Sequence, residues 1–450
     1  MTARPVLGLA IVGLGASLAP LDIAVNVALP AITSHFRLAL GDVQWLVICY
    51  VLVYGSLMLV CGKLGDLFGH RLIFRIGLLV SAIGCAACAA APDWPLFLWA
   101  RAGQGVGTAL ALSCTPALAT SVYPADERLR ALAGFSMAMS LAAAIGPLLG
   151  GVLVELWGWP AVYWIRVPIA LLTLLLSGLL PSPQPQSRPF DALGAVLVAA
   201  CMSSLLLSLV LSQRVAVPGW IAALLLGAAL ALLTTYVARA RHVEEPIIRP
   251  SLFADAAFTV PNVVNVVANL AGFSILLLTP YYLVNVLKLP AGLAGAVLAL
   301  AFCGSLAGAP LAARLVPLVG RRMTAFGGVV LVGAGLLPLA FTGATTPVAL
   351  VGMLLIIEGL GQGLLNVAYT DLVTDTLPVR DRGVAGSLAL LTRTLGVVSG
   401  ASVLTALHAH LPGQDFMAGY KFAFLVAGGG VLAVLAVSCL WPRAWLARQG

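Results

Sequence analysis

The sequence predicts an all-α polytopic membrane protein with fourteen transmembrane helices, and three observations lead there. Hydrophobic residues fill 61% of 450 positions and charged residues only 9%, against roughly 25% charged in a soluble domain. Mean hydropathy is +1.07. Apolar runs of the roughly 20 residues that carry a helix across about 30 Å of hydrocarbon recur along nearly the whole chain. Backbone in lipid must satisfy its own hydrogen bonds, and these runs lack the period-two alternation of barrel strands, so the spans are helices.

In order, the predicted spans are Pro5–Ala31, Val43–Cys61, Leu72–Ala90, Pro95–Ser121, Leu132–Leu153, Ala161–Leu180, Leu193–Leu211, Trp220–Ala238, Phe258–Val284, Ala291–Ala312, Met323–Phe341, Pro347–Thr370, Val384–Leu407 and Phe422–Leu440. The first is too long for a signal-peptide core and contains Asp22, so it reads as an uncleaved helix. All eight cysteines fall within spans, where cysteine packs as a small hydrophobe. Cys85 and Cys88 lack a second pair or a histidine at metal spacing, and His408 and His410, two apart, make a poor metal pair.

Orientation follows from the basic residues. Assigning connections alternately to the two sides puts seventeen Lys and Arg with the N-terminus, including Arg188 and Arg249. Five lie opposite: Arg37, Arg166, Arg214, Lys288 and Lys421. Arg101 and Arg393 fall inside helices. The positive-inside rule then places both termini in the cytoplasm. The net charge of +8 is spread over short loops, which suits topology and anionic lipid and argues against a nucleic-acid partner.

An internal repeat organises the spans. Gly62-Lys-Leu-Gly-Asp66-Leu-Phe-Gly69-His-Arg71 follows the second, and Ala313-Arg-Leu-Val-Pro317-Leu-Val-Gly320-Arg-Arg322 follows the tenth. Pro124 and Arg128 precede Gly146 at the spacings by which Pro378 and Arg382 precede Gly400, and Gly103-Gln104-Gly105 is echoed by Gly361-Gln362-Gly363. The expected domains are an N-terminal six-helix bundle over 1–180, an inserted helix pair over 181–250, and a C-terminal six-helix bundle over 251–450. Parallel repeats of this kind bring a substrate site to the midplane and alternate access by rocking.

At these residues the chain resembles the major facilitator superfamily, and within it the fourteen-helix drug/proton antiporter branch. Gly62, Leu64, Asp66, Gly69 and Arg71 match the loop signature between helices two and three, with Leu67 where a basic residue is usual. Arg101, Gln104, Gly105 and Gly107 match the fourth-helix signature, and Gly146-Pro147-Leu-Leu-Gly150-Gly151 the antiporter signature of the fifth. Leu21-Asp22 followed by Val25-Asn26-Val27-Ala28-Leu29-Pro30 matches the first-helix signature, with Ala24 where threonine is common. Trp159 to Pro168 resembles the stretch opening the sixth helix, but Arg166 stands where asparagine is usual.

A charged side chain at mid-bilayer costs about 2.5–3.5 kcal/mol on insertion scales, so each needs a reason. Four qualify: Asp22, Arg101, Glu358 and Arg393. The resemblance implies that Asp22, Arg101 and Glu358 sit on cavity-lining helices, and these three are the expected proton-coupling residues. Asp22 is the first candidate, Arg101 orients a neighbouring carboxylate, and Glu358 is the alternative; Arg393 suits a structural role. Asp66, read as a loop carboxylate, is implied to meet the N-terminus of the thirteenth helix and, with Gly62, Gly69 and Arg71, to form a cytoplasmic gate. Gly146, Pro147, Gly150 and Gly151 form the expected antiporter hinge, while Asn26, Gln104, Gln362, Tyr50 and Tyr54 are candidate cavity residues; Trp99 and Phe273 suit a flat ligand or lipid equally.

The glycine runs at Gly103 and Gly359 lie inside apolar helices and lack the strand-turn-helix setting of a phosphate cradle. Neither a nucleophile elbow nor a metal cluster stands out, so no enzyme activity, metal or cofactor is expected, and energy would come from an ion gradient. The expected activity is proton-coupled export of small lipophilic compounds by a monomer in a bacterial cytoplasmic membrane, with protons and lipids as further partners. A dedicated metabolite exporter or proton symporter is the alternative, and a non-transporting sensor a remote one. Two acidic and two basic membrane residues leave the substrate's charge open.

Topology is directly testable. Reporter fusions at Ser182 and Pro250 are expected to report cytoplasm and one at Pro218 the exterior; an exterior signal from Pro250 removes the fourteen-helix arrangement.

Overall fold

The computed structural model describes residues 3–38, 40–124, 127–181, 189–212, 217–409 and 416–446, and every regular element among them is helical. Arg188, Arg214 and His410 lie outside the described residues. Thirteen helices among the described residues are long and apolar enough to cross a membrane. The predicted span not among these thirteen is the fourth, which is α5 (Trp94–Ser121), 28 residues long; at 1.5 Å per residue it covers about 42 Å, ample for a bilayer. What it lacks is apolarity, because Arg101, Gln104 and several small polar residues lie within it. Its start is fixed by Asp93, whose side chain accepts from the Leu96 amide at 2.8 Å.

The first predicted span is not one helix. It divides into α1 (Ala3–Ser17), a 3-10 turn over Pro20–Ile23, and α2 (Ala24–Phe36). Pro20 has no amide hydrogen to give the Ala16 carbonyl, which accepts instead from Ala19 N at 3.3 Å. Asp22 therefore sits on a tight turn within a membrane span.

The chain packs as two compact units. One comprises 1–207, 224–249 and 377–390; the other comprises 208–223, 250–376 and 391–450. In the first, α3 (Leu40–Phe68) and α4 (His70–Ala89) pack along α5, and α6 (Arg128–Trp157) packs on α1 and α2. Then come α7 (Ala161–Trp164) and α8 (Arg166–Leu176), followed by α9 (Ala192–Leu211) up to residue 207 and α10 (Gly219–Ala240) from residue 224. The buried Asp191 carboxylate accepts from Gly194 N at 2.9 Å and from Arg239 Nη2 at 2.9 Å, which ties the start of α9 to the end of α10.

In the second unit, α12 (Ala291–Val319) and α13 (Arg321–Leu336) pack along α14 (Val348–Thr376). Around them stand α11 (Ala256–Tyr281), α16 (Phe416–Ser438) and α17 (Arg443–Leu446). The remaining helix, α15, runs Arg382–Ala409. Helices in lipid associate through close van der Waals packing, which favours small residues at contacts. A Cβ at Gly359 of α14 would collide with the Ala301 carbonyl of α12, and one at Gly304 with the Ile356 carbonyl.

Both halves of the sequence repeat fold alike in detail. Gly69 alone joins α3 to α4 at φ +96°, and Gly320 alone joins α12 to α13 at φ +89°, a region that favours glycine. Two residues on, Arg71 Nη1 donates to the Leu180 carbonyl (3.0 Å), and Arg322 Nη1 donates to the Ala444 carbonyl (2.7 Å). Each arginine thereby closes its unit onto the chain at or just past the end of that half's last predicted span.

Two expected positions are corrected. Asp66 is not in a loop: α3 continues to Phe68, past the predicted end at Cys61, so the carboxylate is buried in the last helical turn. Arg166 is not an exterior loop charge: it opens α8, inside the sixth span, and is 1% exposed.

The close packing carries a stability prediction. Gly359→Ala is expected to destabilise by about 1–3 kcal/mol, the usual cost of overpacking, visible as lowered thermal stability of the purified protein. Gly103→Ala, whose Cβ meets no heavy atom within 4 Å, is expected to be neutral or mildly stabilising. Equal stability for the two variants overturns this account of the α12–α14 contact.

Candidate functional site

The Asp22 turn meets α5 and α8 inside the first unit. Arg101 donates through Nη1 to Asp22 Oδ1 at 2.8 Å and through Nη2 to Oδ2 at 2.9 Å, a bidentate fork. Its Nε donates to the Leu46 carbonyl at 3.0 Å, and its Nη1 also reaches Gln104 Oε1 at 2.8 Å. Gln104 Nε2 reaches Asp22 Oδ1 at 3.3 Å. Arg166 Nη1 donates to the same oxygen, while its Nε donates to the Val162 carbonyl at 3.2 Å. One carboxylate thus binds two guanidiniums. Arg101 and Arg166 are 0% and 1% exposed, and the Asp22 side chain keeps 12%.

Aromatic rings set the positions of both arginines. Arg101 Cζ lies 4.5 Å from the Tyr50 ring centroid, and Arg166 Cζ lies 4.9 Å from that of Tyr163, within the range of cation–π attraction. Tyr163 packs edge-on against Phe97 at 5.6 Å, and Phe97 packs against Trp159 at 5.7 Å and Phe36 at 5.6 Å. This aromatic knot holds α2, α5 and α7 together and fixes where α8 begins. Tyr54 packs beside Tyr50 at 5.1 Å. Asn26 is exposed on α2, apart from the cluster's hydrogen bonds.

Gly146 and Gly150 of the expected hinge face the Asp22 turn from α6. A Cβ at Gly150 would lie 2.8 Å from the Ala24 carbonyl, and one at Gly146 3.6 Å from that of Pro20. Gly151 faces open space, and Pro147 lies within the helix and half-buried.

Asp66 also lies in the first unit. Its Oδ1 accepts from Gly383 N at 2.7 Å and its Oδ2 from Val384 N at 3.0 Å, so both oxygens cap the first turn of α15 where the helix dipole favours an anion. Gly62 and Gly383 permit this approach: a Cβ on either would strike the backbone carbonyl of the other. His70 Nε2 is 3.3 Å from Asp66 Oδ1, and the buried Lys63 pairs with Asp381 at 3.3 Å and Glu245 at 3.7 Å.

The second unit holds Glu358 differently. It is 4% exposed on α14, its backbone pressed against Gly335, and its carboxyl shares a hydrogen bond with Gln362 one turn on. Gln362 Nε2 reaches the Ala268 carbonyl at 3.4 Å. Among the described residues Glu358 makes no ion pair. Arg393 lies half-buried on α15.

Two features escaped the sequence reading. Arg166 is one, since assignment to a connection concealed its burial. The other is a polar ladder in the second unit. Tyr369 Oη donates to Asn262 Oδ1 at 2.8 Å and lies 2.9 Å from Thr392 Oγ1, which accepts from Asn265 Nδ2 at 3.0 Å. Asn269 Nδ2 donates to the Asn265 carbonyl at 2.8 Å. The signal was present, because asparagines at i, i+3 and i+7 share one face of α11.

Membrane-length helices in two units, with the same glycine turn and arginine staple in each and charges sealed inside, define a multi-pass membrane protein of duplicated build. The chain belongs to the Major Facilitator Superfamily, whose family profile matches residues 6–248 and 262–445. It is 27% identical over 405 residues to the riboflavin transporter RibZ of Clostridioides difficile strain 630, covering 89% of this chain and 88% of that one. It is 29% identical over 413 residues to the multidrug resistance protein Stp of Mycobacterium tuberculosis strain CDC 1551, covering 90% and 76%. The crystal structure of the human organic anion transporter MFSD10 superposes with a TM-score of 0.70 at 14% identity, covering 97% of this chain and all of that one, a likeness of fold.

The Asp66 contact yields a prediction. Asp66→Asn replaces a doubly accepting carboxylate by an amide that can accept only once, and hydrogen bonds to charged groups contribute about 1.5–3 kcal/mol. Turnover is expected to fall at least about tenfold at matched membrane abundance. Normal turnover would make the cap on α15 dispensable.

Proposed function

We propose that the protein is a proton-coupled exporter of small lipophilic compounds, working by alternating access as a monomer with both termini in the cytoplasm of a bacterial cell. Domains 1–180, 181–250 and 251–450 would act as two six-helix bundles and an inserted pair. The observation that carries the reading is the placement of Asp22, paired with two buried arginines, and of the buried Glu358, which makes no ion pair among the described residues, within membrane-spanning segments. Similarity to a multidrug resistance protein supports export, and similarity to a riboflavin transporter supports a dedicated metabolite as the second reading.

The two carboxylates suit different parts of a coupling cycle. Asp22 cannot take a proton without giving up a guanidinium partner, so its protonation is tied to movement of the turn against α5 and α8. Glu358 has only the Gln362 amide to release. An inward proton gains about 2.3 kcal/mol per charge for each 100 mV, which an exchanger of this kind converts into uphill export. The Asp66 cap, with Gly62, Gly69 and Arg71, would act as the gate, and Gly146, Pro147, Gly150 and Gly151 as the hinge beside Asp22. Gln104, Gln362, Tyr50, Tyr54 and Asn26 remain the proposed substrate contacts.

A susceptibility panel in an efflux-deficient host tests export, and vesicles under an imposed pH gradient test coupling. The wild type is expected to concentrate substrate when the gradient is applied. Asp22→Asn and Glu358→Gln are each expected to lose gradient-driven accumulation while sparing some downhill exchange. Accumulation by both variants at the wild-type proton stoichiometry rejects this coupling scheme, and a panel with no change in resistance rejects drug export.

A further inference from the structure

The buried cluster in the first unit does not balance its charge. Asp22 contributes one negative charge, and Arg101 and Arg166 contribute one positive charge each. Among the described residues Arg166 pairs with Asp22 and with no second acid, its other contacts being the Val162 carbonyl and the Tyr163 ring. The donors are not all used either. Among the described residues Nη2 of Arg166 and the hydroxyl of Tyr163 are buried without a hydrogen-bond partner. Arg101, by contrast, is consumed by Asp22, Gln104 and the Leu46 carbonyl. A spare guanidinium donor, a phenolic hydroxyl and one uncompensated positive charge, enclosed in apolar helices, have a common chemical complement in an anionic oxygen group. Hydrocarbon makes the mismatch costly, because an isolated buried charge is far more expensive than a paired one.

We infer that Arg166, with Tyr163, forms an anion-binding subsite beside Asp22, and that the transported compounds include lipophilic organic anions such as aryl carboxylates. The anion takes Arg166 Nη2 and competes with the Asp22 carboxylate for the rest of that guanidinium, while Arg101 keeps Asp22 in place through its fork. Tyr163 contributes its unpartnered hydroxyl as the second donor. This assigns a substrate class to the exporter proposed above and rests on that reading for transport; binding of the anion does not.

The test uses the purified full-length protein in detergent, with thermal unfolding followed at constant ionic strength against sodium salicylate, its neutral analogue salicylamide, and sodium chloride at equal concentration. Salicylate alone is expected to protect. Arg166→Asn is expected to weaken salicylate binding at least about tenfold, a charge-assisted hydrogen bond's share; Arg166→Lys is expected to retain part of it. Asp22→Asn removes the competing carboxylate and is expected to tighten binding. This last variant keeps the test open should Arg166→Asn fail to fold. Equal protection by salicylamide or by chloride, undiminished binding in Arg166→Asn, or weaker binding in Asp22→Asn each overturns the inference. Its failure would leave export of neutral and cationic compounds standing, and a negative susceptibility panel would leave the binding result standing.

Discussion

Hydrocarbon offers no water to an amide or a charge, and most of this molecule follows from that denial. Within the spans backbone groups find partners only in helices, so every regular element among the described residues is helical, and the break at Pro20 is closed locally by a 3-10 turn. Side chains meet the same demand. Arg101 and Arg166 are buried around the one carboxylate of Asp22, which accepts from both, and the asparagine ladder of α11 is buried because Tyr369 and Thr392 complete it. Glycines do the work that hydrophobic burial does in water, letting α12 and α14 approach until backbone meets backbone.

The duplicated sequence shows which devices each unit needs and which have diverged. Gly69 and Gly320 reverse the chain in a single residue, and Arg71 and Arg322 both staple that turn to a carbonyl near the end of their half. These are structural necessities of a tight helical hairpin at a membrane surface, and they recur. Between the glycine turns and the preceding helices the copies part: Asp66 caps α15 in the first unit, where the second has Pro317. In the second unit the arginine after the turn, Arg321, instead pairs with Asp371 and Asp375. Divergence is thus concentrated at the carboxylates.

How much was legible follows from the range of each signal. Span positions were readable because an apolar run about 20 residues long declares itself locally. The repeat was readable because glycine and arginine sit at fixed offsets. The break at Pro20 was missed because a proline early in a long apolar run leaves hydropathy unchanged. Arg166 was misplaced for a stronger reason: its partner lies 144 residues away, and loop-counting has no means of representing a pairing between spans. A departure from the family pattern marked it nonetheless, since a guanidinium in an asparagine position needs an anion nearby. Asp66 was located correctly by motif and wrongly by element, as helix ends are the least local feature of a span.

Energies limit how such a site can move. Leaving a buried charge without its partner costs about 3–5 kcal/mol, whereas one charge crossing 100 mV releases about 2.3 kcal/mol. A single proton therefore cannot simply pull Asp22 away from its arginines. The rearrangement becomes affordable only as an exchange, in which a new partner arrives as the old one leaves: a proton on the carboxylate, an anion on the guanidinium, or both. Two arginines on one carboxylate make that exchange possible in steps, since Asp22 can lose Arg166 and still be held by Arg101. In the proposed cycle the clamp's asymmetry, with an acceptor on every nitrogen of Arg101 and none on Nη2 of Arg166, would put the first step at Arg166.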